Sequence, residues 1–182
     1  MAKQLQDLKK PDIQQIFTAV DNELLSPAEI TVIGGVSLIM LDIVERSTVD
    51  IDLANIGNVD AFKKIADRLG YLVDVVTIST TVDFHSPDKY KIFHGKNLAV
   101  FSVNERDLIK LKLERYRKQD PQDIDKIIQK IKMPFSEFRN LALEAVRDFV
   151  GHPRTFALSI LMAAENHYSA GEVATLRKAL GI

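Results

Sequence analysis

Apolar positions repeat with different periods along the chain, and the changes of period mark its elements. Ile13, Ile16, Phe17, Val20 and Leu24 recur at three- and four-residue steps, which predicts an amphipathic helix over residues 12–25, after Pro11. Ser26-Pro27 stops it. Residues 30–33 are a short β-branched run, a buried strand that Gly34-Gly35 ends. Residues 36–44 are apolar nearly all round and predict a buried helix. At Thr48 the period falls to two. Val49, Ile51 and Leu53 then alternate with Thr48, Asp50 and Asp52, predicting a strand to Ala54 with the three apolar side chains in the core.

Asp60 is placed to cap a helix over residues 61–69, with Gly70 at its end. Residues 71–78 predict a third strand, apolar apart from Asp74. Residues 90–93 and 98–103 predict a hairpin turning at His94-Gly95. From Glu105 the pattern is helical. Leu108, Leu111 and Leu113 fall in one segment, and Asp120-Pro121 opens a second through Ile124, Ile127, Ile128 and Ile131. Three more helices are predicted over residues 135–150, 153–167 and 170–180, the last behind a Ser169–Glu172 capping box. Strands first and helices last predict an α+β fold with a helical C-terminal extension. The division drawn from this pattern is a core over residues 1–132, including the N-terminal helix, and a helical region over 133–182.

Composition narrows the function classes. With 46% hydrophobic and 27% charged residues, a sizeable core is available. The 24 Lys+Arg against 25 Asp+Glu exclude attachment to nucleic acid by net charge alone. Lys126, Lys130 and Lys132 remain either a local basic strip or a solvated helix face. The absence of cysteine excludes disulfides, thiolate zinc sites and cysteine nucleophiles. His85, His94, His152 and His167 lack metal-ligand spacing and are expected on the surface or in loops. The N-terminus lacks a signal-peptide core and the run over residues 30–44 is too short to span a bilayer, so a soluble cytoplasmic protein is expected.

The chemistry concentrates at Asp50 and Asp52. Residues i and i+2 of a strand share a face, which puts these carboxylates side by side about 7 Å apart. Such a pair suits Mg²⁺, which takes oxygen ligands and completes its shell with water and phosphates; the bland reading is an acidic solvent-facing strand. Gly34-Gly35 between strand and helix lets backbone N–H groups approach a phosphate, with Ser37 able to donate to it, or is an ordinary turn.

The order of these parts, a strand, Gly34-Gly35-Val36-Ser37, a short helix and then Val49-Asp50-Ile51-Asp52-Leu53, resembles the nucleotidyltransferase superfamily related to DNA polymerase β. The Gly-Gly-Val-Ser variant is similar to a bacterial minimal subgroup that includes the AbiEii toxins and DUF6036-like proteins. Residues 107–113, Arg117 and the Asp120–Ile124 segment resemble that subgroup's lysine-bearing helix and its Asp-x-x-Asp-Ile element. The resemblance implies a mixed sheet flanked by helices and transfer of a nucleoside monophosphate from a nucleoside triphosphate. Asp50 and Asp52 would hold Mg²⁺, and Gly34, Gly35, Ser37 and Thr48 would meet the nucleotide. Lys112 would contact the triphosphate with support from Asp123. Lys110 competes with Lys112 for that role, or the cations of 110–118 form a solvated face in which Glu114 pairs with Lys118. Asp120 fits a helix N-cap, with Asp123 at N3. Asp74, with Asp83 as second candidate, would be the third acid, needing a metal, donor or water if buried. A tRNA or protein acceptor and a toxin–antitoxin or phage-defence setting follow from the resemblance. The other reading is a non-catalytic binding protein of the same fold, with its C-terminal helices meeting an antitoxin partner or a second copy.

Overall fold

A computed structural model describes residues 7–182. The first helix, α1 (Lys10–Glu23), begins two residues earlier than periodicity predicts. The Asp12 carboxylate accepts the Lys9 N–H at 2.9 Å, and Pro11 needs no partner in the first turn. Then come β1 (Ala28–Val32), α2 (Gly34–Met40), β2 (Ile51–Ala54), α3 (Val59–Arg68), β3 (Val73–Val76), β4 (Lys89–His94) and β5 (Leu98–Val103). They are followed by α4 (Glu105–Arg115), α5 (Asp120–Ile131), α6 (Phe135–Asp148), α7 (Pro153–Glu165) and α8 (Ala170–Leu180). The expected α+β class is the one observed, with a single five-stranded mixed sheet among the described residues.

The chain forms two compact units. One runs to Ile78 and resumes over Phe84–Asn104; the other comprises Ser79–Asp83 and Glu105–Ile182. The boundary drawn from the sequence at residues 132/133 falls inside the second unit, between α5 and α6.

In the first unit the strand order is β3-β2-β1-β5-β4. β1 is antiparallel to β2 and parallel to β5, β2 is parallel to β3, and β4 is antiparallel to β5. Register sorts the side chains into two faces. Ile30 lies beside Val100, Val32 beside Leu53, and Leu53 beside Val75, on the face where α1 and α3 pack. Thr31 beside Phe101, and Asp52 beside Asp74, therefore occupy the opposite face. The helix predicted from residue 61 starts at Val59, so Asp60 lies in its first turn and Asn58 takes the cap position. Asn58 instead accepts the Glu29 N–H through Oδ1, tying the β2–α3 loop to β1.

Asp21, on α1, is 7% exposed and clamps the hairpin turn between β4 and β5. Its Oδ1 accepts the N–H groups of Asn97 at 2.6 Å and Leu98 at 2.7 Å, and its Oδ2 accepts that of Lys96 at 3.0 Å. Burial alone would raise this carboxyl. The Asn97, Lys96 and Leu98 donors, helped by the charge of His94, outweigh burial and hold it below its ordinary 3.8. A carboxyl depressed in the folded state contributes fully above the unfolded value, and its contribution fades as pH falls through the folded one. Asp21→Asn is expected to cost about 1–3 kcal/mol at pH 7. Urea denaturation should show the gap between variant and parent narrowing below pH 4.

In the second unit Leu108, Leu113, Ile124, Ile127, Phe138, Leu141, Ile160 and Leu176 are buried together with much of α4 to α8. Glu114 does not use Lys118 as its partner, because α4 ends at Arg115. Its carboxylate accepts the Ser79 and Thr80 hydroxyls at 3.1 and 3.0 Å and the Thr80 and Thr81 N–H groups at 3.0 and 2.9 Å. The capping box of α8 forms as read, with Ser169 and Glu172 bonding reciprocally. Among the described residues no helix is long and apolar enough to cross a membrane.

Candidate functional site

The alternation read from Thr48 onward is shorter in the structure. Thr48 exchanges backbone hydrogen bonds with Leu8, at 2.6 and 3.0 Å, rather than joining the sheet. The strand proper starts only at Ile51, so Val49 is 39% exposed instead of entering the core. Asp50 sits in the bend just before the strand and Asp52 within it.

Parallel pairing of β2 with β3 sets Asp52 directly beside Asp74. One carboxylate oxygen from each of Asp50, Asp52 and Asp74 lies within 4.8 Å of the other two. Asp50 and Asp52 are half-buried and Asp74 is exposed. Asp74 is thus not the buried acid that its apolar neighbours imply. β3 is an edge strand and only Val73 of its four residues is buried. Asp83, the other candidate, belongs to the second unit.

The glycine pair is explained by what it touches. The Ile33 N–H donates to the Asp52 carbonyl at 2.9 Å, which brings the turn after β1 against the Asp52 side chain. Gly34 has φ +64°, and a Cβ there would overlap the Asp52 carboxylate. A Cβ on Gly35 would come 2.7 Å from the Thr48 hydroxyl. That hydroxyl donates to Asp50 Oδ1 at 3.0 Å, so Thr48 orients a carboxylate of the cluster. Ser37 is placed differently from the sequence expectation. It is wholly buried, and its hydroxyl donates to the Val32 carbonyl at 2.9 Å, because the helix turns this position back onto β1.

Arg46 was not singled out by the sequence. Its guanidinium stands 3.7 Å from the Cβ position of Gly35 and donates to the Ser47 carbonyl at 3.0 Å. The available signal was a cation four residues ahead of Asp50, at the head of the acidic segment.

Lys112 lies in the second unit, 2% exposed, with its ammonium 2.6 Å from Asp123 Oδ2 and 3.2 Å from Asp120 Oδ1. Asp120 also accepts from the Arg115 guanidinium, at 3.1 Å, and from the Arg117 N–H, at 2.6 Å. It is therefore a buried hub rather than the N-cap of α5, a position that Gln119 holds. Asp123 and Lys112, read together from the sequence, form a direct ion pair. Lys110, the competitor, is also largely buried and pairs with Glu144 at 3.2 Å, so the cations of α4 are not one solvated face. Lys126, Lys130 and Lys132 are exposed. His152 caps α7 by accepting the Thr155 N–H, and none of the four histidines joins the carboxylate cluster.

The family described as "Nucleotidyltransferase of unknown function (DUF6036)" matches residues 11–154. That stretch contains the carboxylate cluster, the glycine pair and the Lys112 network. No curated protein and no solved structure matches the chain.

Proposed function

The chain belongs to the DUF6036 nucleotidyltransferases, and we propose on that basis that it transfers a nucleoside monophosphate from a nucleoside triphosphate to an acceptor hydroxyl. The observation that carries the proposal is the convergence of Asp50, Asp52 and Asp74 within 4.8 Å. Three carboxylate oxygens, with no nitrogen or sulfur donor among them, fit a hard divalent ion, Mg²⁺ before zinc. Bound there, Mg²⁺ would neutralise charge on the triphosphate and orient the attacked phosphorus.

The chain's own groups then have distinct tasks. Asp50 and Asp52 hold the ion, with Thr48 keeping Asp50 aimed. Gly34 and Gly35 allow the phosphate tail close approach, and Arg46 supplies positive charge beside them. Asp74, the exposed acid, takes the proton of the attacking hydroxyl and passes it to water. The hydroxyl oxygen bonds to the α-phosphorus while the bond to the bridging oxygen breaks, and pyrophosphate leaves with that electron pair. Lys112 and Asp123 belong to this reading through the family resemblance, as does a tRNA or protein acceptor in a toxin–antitoxin or phage-defence setting.

A non-catalytic binding role is favoured by one observation. Ser37 and Lys112, both expected at phosphate, are satisfied within the protein by Val32 and by Asp120 with Asp123. Incubation with α-labelled nucleoside triphosphates and Mg²⁺ separates the two readings. The enzyme is expected to move label onto an acceptor or onto itself, and Asp50→Ala to reduce this by about 100-fold or more. A protein that moves no label under any condition is the binding module.

A further inference from the structure

The three acids of the cluster are not held in the same way. Asp52 and Asp74 stand in β2 and β3, and the pairing of those strands fixes both. Asp50 stands outside the sheet. Between Met40, the last residue of α2, and Ile51, the first of β2, the chain forms neither helix nor strand. A carboxylate on such a stretch keeps its place only if some other part of the molecule braces it.

Among the described residues, the backbone of residues 45–50 bonds to backbone outside that segment only at Thr48. There the Leu8 N–H donates to the Thr48 carbonyl at 2.6 Å, and the Thr48 N–H donates to the Leu8 carbonyl at 3.0 Å. The pair is an isolated antiparallel bridge. On one side of it the Thr48 hydroxyl continues to Asp50 Oδ1, at 3.0 Å. On the other, the Leu8 side chain is an anchor in the core, 3% exposed. Lys10, at the start of α1, pairs with Asp42 at 2.7 Å. The N-terminal segment therefore fastens the α2–β2 connection twice, once just past α2 and once beside Asp50. Val49, half out in solvent, adds no anchorage between Thr48 and the strand.

We propose that Leu8 is a positioning residue of the metal site. Seated beside Thr48, it holds the hydroxyl that aims Asp50, and the affinity of the three carboxylates for a divalent ion depends on that seating. The inference rests on the metal-binding part of the reading above. Leu8 itself touches neither ion nor nucleotide. Groups that orient a metal ligand commonly change metal affinity by about 10–100-fold when they are removed. A terminal segment held by one bridge and one buried side chain also opens more readily than the sheet does. The coupling runs both ways: whatever factor seating adds to ion affinity, a bound ion adds to seating.

Mn²⁺ titration of the full chain tests this without reference to transfer. Leu8→Asp places a charge at a core position and so unseats the segment; it should weaken Mn²⁺ binding by about tenfold. Leu8→Ile keeps the apolar anchor and should stay within about twofold of the parent. In an Asp50→Ala background there is no carboxylate left to position, so adding Leu8→Asp should change the remaining affinity by less than about twofold. A general loosening of the first unit would instead weaken binding equally in both backgrounds. The parent chain gives a second measurement that stands even if Leu8→Asp does not fold. Saturating Mg²⁺ should slow hydrogen exchange at the Leu8 and Thr48 amides by about tenfold, the reciprocal of the affinity change. Unaltered Mn²⁺ affinity in Leu8→Asp, equal losses in the two backgrounds, or exchange at these amides that ignores Mg²⁺ would overturn the positioning role and leave the metal site standing. Parent protein that binds no Mn²⁺ would overturn the metal site, and the role of Leu8 with it.

Discussion

Lys112→Met is expected to lower unfolding stability by about 3–5 kcal/mol, the cost of breaking a buried ion pair from one side. The ammonium is 2% exposed and shared by Asp120 and Asp123. Asp120 would keep Arg115, whose guanidinium reaches it at 3.1 Å, but Asp123 would lose the cation 2.6 Å away. Combining Lys112→Met with Asp123→Asn should recover part of the loss, since a buried neutral amide costs less than a buried carboxylate that has lost this cation. Chemical denaturation of the three variants measures this directly. If Lys112 acted on substrate alone, its replacement would leave the denaturation midpoint where it was.

Gly34→Ala should have the other large effect, this time on the site. Gly34 has φ +64°, and a methyl group there would collide with the Asp52 carboxylate. The backbone cost is about 1–2 kcal/mol for a non-glycine residue in the left-handed region. Displacement of Asp52 should further cut transfer by about 100-fold, the usual penalty for an ångström of misplacement, and should weaken Mn²⁺ binding measured by titration. Gly70→Ala provides the control. Gly70 has φ +91° with nothing within 4 Å of its Cβ position, so it carries the backbone cost without touching a carboxylate. Equal Mn²⁺ affinity in the two variants would show that the Gly34–Asp52 contact is irrelevant to the site.

How far these features were legible in the sequence depended on whether their cause was local. Helical spacing located α1 and α4 to α8, because each buries a stripe that its own residues define. The Asp50–Asp52 pair was legible because acids inside an apolar alternation stand out. Val49 was misplaced because its environment depends on Thr48 pairing with Leu8, forty residues away. The exposure of Asp74 and its place beside Asp52 depend on β3 being an edge strand in parallel register with β2, which composition does not encode. The burial of Ser37 was hidden for the same reason. A hydroxyl two residues after a glycine pair reads as a phosphate donor until β1 supplies the Val32 carbonyl. For Lys112 the sequence identified the residue and its acidic companion, whereas its near-complete burial comes from the packing of the second unit.

Ser79–Asp83 belongs to the second unit although the chain on both sides of it belongs to the first. A single splice at residue 104 or 105 would thus not trade the helical part of this protein for that of a relative. The graft would bring Glu114 but leave behind the serine and two threonines whose hydroxyls and amides it accepts. Inheritance of the two parts is therefore tied together, and exchange between relatives requires matched changes at two separated places in the gene.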